Sequence, residues 1–231
     1  MATTNGCDDT LYAGGRIETR SKRLFRRIAA IQRFTEKKGL VHLIRAAKLL
    51  QQDGITVARY GYGDLEPEYH RIVAEEGIKN VEFCGPIKGR EEMLEVFRNC
   101  DLFACPSVRA ADGDIDGIPT VLMEAMSAGL PVITTAISGI PDLVEDDITG
   151  LISAPNPESI AARVRAYYAL PDAAVEALID NGLERIRSNY NSERLVERMM
   201  RVWANETVDL MIVSWNNLPE LYEVTQRLLV N

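Results

Sequence analysis

From Ile28 onward the chain alternates short runs rich in β-branched and other apolar residues with longer segments of helical period. βαβ units produce that alternation, and it restricts the chain to an α/β architecture built on a parallel sheet. Strands are expected near 28–34, 56–60, 81–84, 102–105, 132–135 and 150–152, with helices near 38–52, 65–76, 90–99 and 119–128. A shorter helix fits 140–146. Pro157 opens a helical region that reaches about 187, since a proline in a first turn gives up only an amide the helix does not use. A further helix fits 191–204. A doubly wound sheet of this kind binds ligands beyond the carboxyl ends of its strands, so the segments that follow the strands should carry any chemistry.

Bulk properties narrow the function classes. The 231 residues are 46% hydrophobic and 26% charged, and no run approaches the ~20 apolar residues of a membrane span. Lys+Arg 26 against Asp+Glu 34 gives a net charge of −8, which argues against nucleic acid and against an anionic membrane surface. Cys7, Cys84, Cys100 and Cys105 contain no Cys-x-x-Cys pair, and only His42 and His70 could join them, so they read as free thiols in a reducing compartment. With no apolar secretory core at the N-terminus, the expected location is the cytoplasm. Residues 1–26 are polar and end in a basic stretch, as a linker would. Beyond 206 a strand over 208–214, then Asn216, Asn217 and Pro219, and a helical run to Leu229 suggest the start of another α/β domain.

Three constellations could carry chemistry. Between Asp116 and Pro131, the residues around Glu124 are almost all apolar: Val121, Leu122, Met123, Ala125 and Met126. A carboxylate there either meets a partner or sits on the one face that reaches water. Gly117 and Pro119 form a turn into that helix, leaving the amides of Thr120 and Val121 at its positive end, which is an anion site or simply a well-capped helix. Arg33 after the first strand and Lys38 at the next helix, with Lys37 beside it, could clamp a diphosphate, or could be ordinary solvated cations. Gly61-Tyr62-Gly63 follows the second strand without the third glycine of a dinucleotide fingerprint, and Gly85-Pro86 makes a matching turn after the third. The run Asp112-Gly-Asp114-Ile-Asp116-Gly117 opens like a calcium loop. Its twelfth position is Met123 and its eighth Pro119, so an acidic loop feeding the helix of Glu124 is the better reading.

Taken in order over about residues 28–204, these features resemble one family, the retaining GT-B glycosyltransferases of family four, group 1. The resemblance rests on Arg33 with Lys38-Gly39, the Gly-Tyr-Gly turn, the segment Asp101 to Ser107, and Asp116 with seven residues before Glu124. It implies a Rossmann-like doubly wound sheet, as a single GT-B C-terminal-type domain over 27–206, flanked by a linker remnant at 1–26 and a truncated GT-A-like start at 207–231. By resemblance, Arg33 and Lys38 hold the donor diphosphate, Glu124 the ribose hydroxyls and Asp116 the donor sugar. Gly117, Ile118, Pro119, Thr120 and Val121 face sugar and phosphates, Gly61 and Gly63 belong to the substrate site, and Pro86 and Ile87 meet the base. Asp116 stands where the family has Glu, which keeps the charge and shortens the reach.

The implied activity is transfer of a hexosyl or related group from a nucleotide-diphosphate sugar, with retention and without a metal or other cofactor, in polysaccharide, lipopolysaccharide or other glycan synthesis. The sugar or glycolipid acceptor would bind an N-terminal domain absent from this chain, since Asn5-Gly6-Cys7-Asp8 looks like the segment that joins the two halves. The isolated fragment is then expected to be inactive, and the full-length protein cytoplasmic or peripheral to the membrane. A noncatalytic nucleotide-sugar-binding or assembly module is the alternative, with a sugar epimerase of the same fold as a third reading.

Overall fold

A computed structural model of the protein describes residues 23–191. Strands and helices alternate along it. β1 (Arg27–Ile31) leads to α1 (Leu40–Leu50), β2 (Thr56–Tyr60) to α2 (Glu66–Glu75), β3 (Val81–Phe83) to α3 (Arg90–Arg98), and β4 (Leu102–Cys105) to α4 (Thr120–Ser127). β5 (Val132–Thr135) leads to α5 (Ile140–Leu143), and β6 (Leu151–Ser153) to α6 (Pro157–Ala169) and α7 (Asp172–Arg185). The six strands form one parallel sheet in the order β3-β2-β1-β4-β5-β6. Strand order reverses between β1 and β4, and a crevice at the carboxyl edge is the geometric result.

The central strands are covered on both faces, which is why they read as apolar runs: β4 and β5 are buried throughout, as are Ile28 to Ala30 of β1. On one face Ile28, Ala30 and Val57 pack with α1, α2, α6 and α7. On the other, Ala29, Phe103 and Cys105 pack with α3, α4 and α5. α1 presents Leu40, Leu43, Ile44, Ala47 and Leu50 to the first of these cores, the stripe expected of a helix laid on a sheet.

Most expected elements are present, with shifts that have local causes. The sequence suggests a first strand reaching Phe34. β1 ends at Ile31, yet the ladder continues, since Gln32 N–H donates to Tyr60 O at 3.0 Å and Phe34 N–H to Tyr62 O at 2.8 Å. The sequence places Lys38 at the start of a helix. It instead ends a single 3-10 turn, Glu36–Lys38, and the left-handed Gly39 separates that turn from α1. The helical region of 157–187 divides at Leu170 and Pro171, because a residue before proline is pushed out of the helical basin and Leu170 is extended. The short helix of 140–146 stops at Leu143, where Thr149 Oγ1 accepts the N–H of Glu145 at 2.8 Å.

Residues 23–26, the expected end of a linker, are tied down. The Arg23 guanidinium donates to Leu170 O at 2.5 Å and pairs with Asp172 at 2.9 Å, and Arg26 Nε donates to Asp53 O at 3.1 Å. The rest of 1–26, the helix of 191–204 beyond its first residue, and the strand and helix of 207–231 lie outside the described residues. So do Cys7 and the Asn5 to Asp8 segment.

Candidate functional site

At the switch point the loop after β1 and the loop after β4 are joined along their length. Val108 N–H donates to Lys37 O at 2.8 Å, and Ala111 N–H to Glu36 Oε1 at 2.9 Å. Gly39 permits the approach: a β-carbon there would lie 1.9 Å from Pro106 O, and its φ of +61° already favours glycine. Side chains complete the junction. Lys38 Nζ meets Asp116 Oδ2 at 2.6 Å, and Lys37 Nζ meets Asp114 Oδ2 at 2.9 Å and Asp116 Oδ1 at 3.4 Å. Lys38 and Asp116 are 18% and 14% exposed, enough shielding for their pairing to outweigh that of a surface ion pair. Hydrogen bonding to Asp114 lifts the Lys37 ammonium above its ordinary value, and Lys37 in turn lowers the Asp114 carboxyl.

The calcium reading meets a direct obstacle in this arrangement. Asp114 and Asp116 are committed to lysines, and Asp112 Oδ1 accepts the N–H of Asp114 at 2.9 Å. Among the described residues no group of three or more His, Cys, Asp or Glu side chains is set to hold a metal ion.

Arg33 stands apart from this cluster. It is exposed, and its guanidinium lies over the Tyr62 ring, 5.9 Å from the centroid. Tyr62 is itself 57% exposed, displayed by two glycines whose role is close approach. A β-carbon on Gly61 would sit 1.9 Å from Gln32 O, and one on Gly63 2.6 Å from Phe34 O. Gly61 N–H also donates to Gly85 O at 2.8 Å, which ties the loop carrying Pro86 and Ile87 to the same edge. Pro86 is exposed, and Ile87 is half-buried against the second core.

The third component is the start of α4. Pro119 occupies the cap position with extended geometry and is not inside the first turn as the sequence suggested. No side chain caps the helix, and no acidic residue lies in its first turn, so Thr120 and Val121 stand at an uncompensated positive end. Thr120 and Gly117 are exposed, while Ile118 packs toward Gly139 of the loop after β5. Glu124 follows one turn later, about 6 Å along the axis. It is half-buried between the buried Met123 and Ala125, and it is engaged, as a carboxylate in that helix must be.

A groove of about 750 Å³ adjoins the junction. Glu36, Val41 and His42 form one wall, and the ends of β5 and β6 with the segments after β4, β5 and β6 form the rest, including Ser107, Thr135 and Ser153. None of Arg33, Lys38, Asp116 and Glu124 lines it. Its position was implied by the rule that ligands sit past strand ends. In the sequence His42 reads as a possible metal ligand and Ser107 as the end of a segment. Burial and the nearby Arg45 lower the His42 pKa. Cys105 is buried at the end of β4, with its thiol pushed up to about 11, and Cys84, Cys100 and Cys105 form no disulfide among the described residues. Among the described residues no helix is long and apolar enough to cross a membrane.

Comparison with known proteins adds an independent line. Residues 18–185 match the family described as "Glycosyl transferases group 1". The chain is 34% identical over 167 residues to the amylovoran biosynthesis glycosyltransferase AmsK of Erwinia amylovora, covering 71% of this chain and 41% of that protein. It therefore spans about two fifths of that relative's length. Among solved structures, Anabaena Alr3699/HepE in complex with UDP and glucose superimposes with a TM-score of 0.71 at 19% identity, over 87% of this chain and 56% of that one. The C-terminal domain of LpcC from Francisella tularensis, described as a glycosyl transferase group 1 family protein, gives 0.66 at 21% identity, over 81% of this chain and 100% of that one.

Proposed function

This chain belongs to the glycosyl transferases of group 1, with the single α/β sheet of the GT-B type, and on that premise we propose that it supplies the donor-binding half of an enzyme using a nucleotide-diphosphate sugar. The observation that carries the reading is the meeting of Lys38 and Asp116 across the switch point, in the loop that runs into the uncapped start of α4. A cation, a carboxylate and a helix N-terminus along one short segment match the chemistry of a sugar joined to a diphosphate. The charged leaving group needs fixed positive partners, and the sugar hydroxyls need an acceptor.

In this reading Lys38 and Arg33 bind the diphosphate and offset the charge that develops on it as the bond to the sugar breaks. Thr120 and Val121 add backbone donors, and Gly117, Ile118 and Pro119 shape the wall. Asp116 accepts from sugar hydroxyls and Glu124 from the ribose, one helical turn away. Gly61 and Gly63 hold the rim, and Pro86 and Ile87 meet the base. Transfer proceeds with retention and needs no metal. The Anabaena protein's complex with UDP and glucose supports a donor of this class, and the AmsK likeness supports a role in polysaccharide synthesis. Acceptor binding and turnover are assigned to the longer protein, with the described domain as its donor-side unit and the cytoplasm as its location, free or peripheral to a membrane.

Calorimetric titration of the chain with UDP, GDP and ADP tests this. One of them should bind, and Glu124→Ala should weaken it by about tenfold or more, since a charge-assisted hydrogen bond is lost. Asp116→Ala should weaken the free nucleotide less, because its proposed partner is the sugar. A folded sample that binds none of the three would sink the donor-site reading.

A further inference from the structure

Resting on the donor-site reading, we propose that Lys37 is a positioning residue, which keeps Asp116 paired when Lys38 turns from that carboxylate to a nucleoside diphosphate. The geometry sets the problem. Lys38 and Asp116 are each other's nearest charged partners, at 2.6 Å. A diphosphate drawn to Lys38 arrives beside the Asp116 carboxylate, and like charges that close repel in a half-shielded site.

Lys37 is built to relieve that repulsion. Its ammonium already lies 3.4 Å from the second oxygen of Asp116 and is 28% exposed. It is also anchored. Asp114 holds the ammonium at 2.9 Å, and the Lys37 carbonyl takes the Val108 N–H at 2.8 Å. The four side chains Lys37, Lys38, Asp114 and Asp116 sum to zero charge, so the free cluster is balanced. When Lys38 is taken by phosphate, Lys37 alone keeps Asp116 neutralised and fixed in orientation. Without Lys37, the same event leaves two carboxylates facing the diphosphate with one ammonium between them.

This predicts a specific pattern of coupling, measured by calorimetry on the full chain with whichever of UDP, GDP or ADP the wild type binds. Lys37→Met should weaken that nucleotide by about tenfold, and Lys37→Arg by much less. Adding Asp116→Asn to Lys37→Met should restore most of the affinity, because the repelling carboxylate is gone. A lysine acting only by its own attraction for phosphate would lose as much in the Asp116→Asn background as in the wild type, and that result overturns the proposal. So does unchanged binding by Lys37→Met. Equal thermal midpoints for the variants separate these outcomes from misfolding. Failure of all three nucleotides to bind the wild type would instead remove the donor-site reading itself.

Discussion

At the scale of single residues, Arg59 is a costly placement. It lies on β2 with no exposed surface, between the rings of Phe34, Tyr69 and Phe83, the last only 3.9 Å from its guanidinium carbon. None of its three nitrogens has a hydrogen-bond acceptor among the described residues. Ring contacts stabilise the cation in part, but burial still lowers its pKa to about 10, so it stays charged at neutral pH at the expense of the fold. Arg59→Met should therefore raise stability by about 1 kcal/mol, while Arg59→Ala should lower it by about 2 kcal/mol or more through the cavity left among the rings. The pH dependence has a definite sign. The folded-state pKa is the lower one, so the penalty is present in full below about 10 and shrinks as pH rises above it. Urea midpoints of wild type and Arg59→Met, compared at neutral and strongly alkaline pH, should converge at the alkaline end.

At the scale of elements, the site depends on loops held by backbone rather than on rigid strands. Gly39 and Gly61 are the tightest points, each with a carbonyl oxygen 1.9 Å from where a β-carbon would go. Gly39→Ala must move either the 36–38 turn or the loop after β4, at about 2 kcal/mol or more, and should appear as a lower thermal midpoint with weakened nucleotide binding. The sequence made part of this readable. Alternating apolar and helical segments identify the parallel sheet, because strands covered on both faces must be apolar throughout. Gly61, Gly63 and Pro119 mark turns because few other residues suit them. Pairing between Lys37 or Lys38 and Asp116 was not readable, since nearly eighty positions separate them and only the strand order β2-β1-β4 makes them neighbours. Arg59 was hidden for a related reason: within the run Thr-Val-Ala-Arg-Tyr it looks like the solvent-facing member of a strand.

At the scale of the whole molecule, the two edges of the sheet have different tasks. At the amino edge Asp101 accepts the Phe25 N–H and the Tyr168 hydroxyl, each at 3.2 Å, and its carbonyl takes the Tyr167 hydroxyl at 2.7 Å. Tyr167 and Tyr168 of α6 cover that edge. At the carboxyl edge, the junction of residues 36–39 with 106–116 also links the two halves of the sheet, β1 to β3 and β4 to β6. A small molecule bound across that seam would act as a rivet between the half-sheets, and mass action turns this into a thermal observable. A ligand at a hundred times its dissociation constant adds about 2.7 kcal/mol, and a protein of this size gains about 2–4 °C per kcal/mol. If the proposed donor site holds, the nucleotide that fits should therefore raise the melting temperature by roughly 5–10 °C, and a ladder of such shifts across UDP, GDP and ADP would rank the bases.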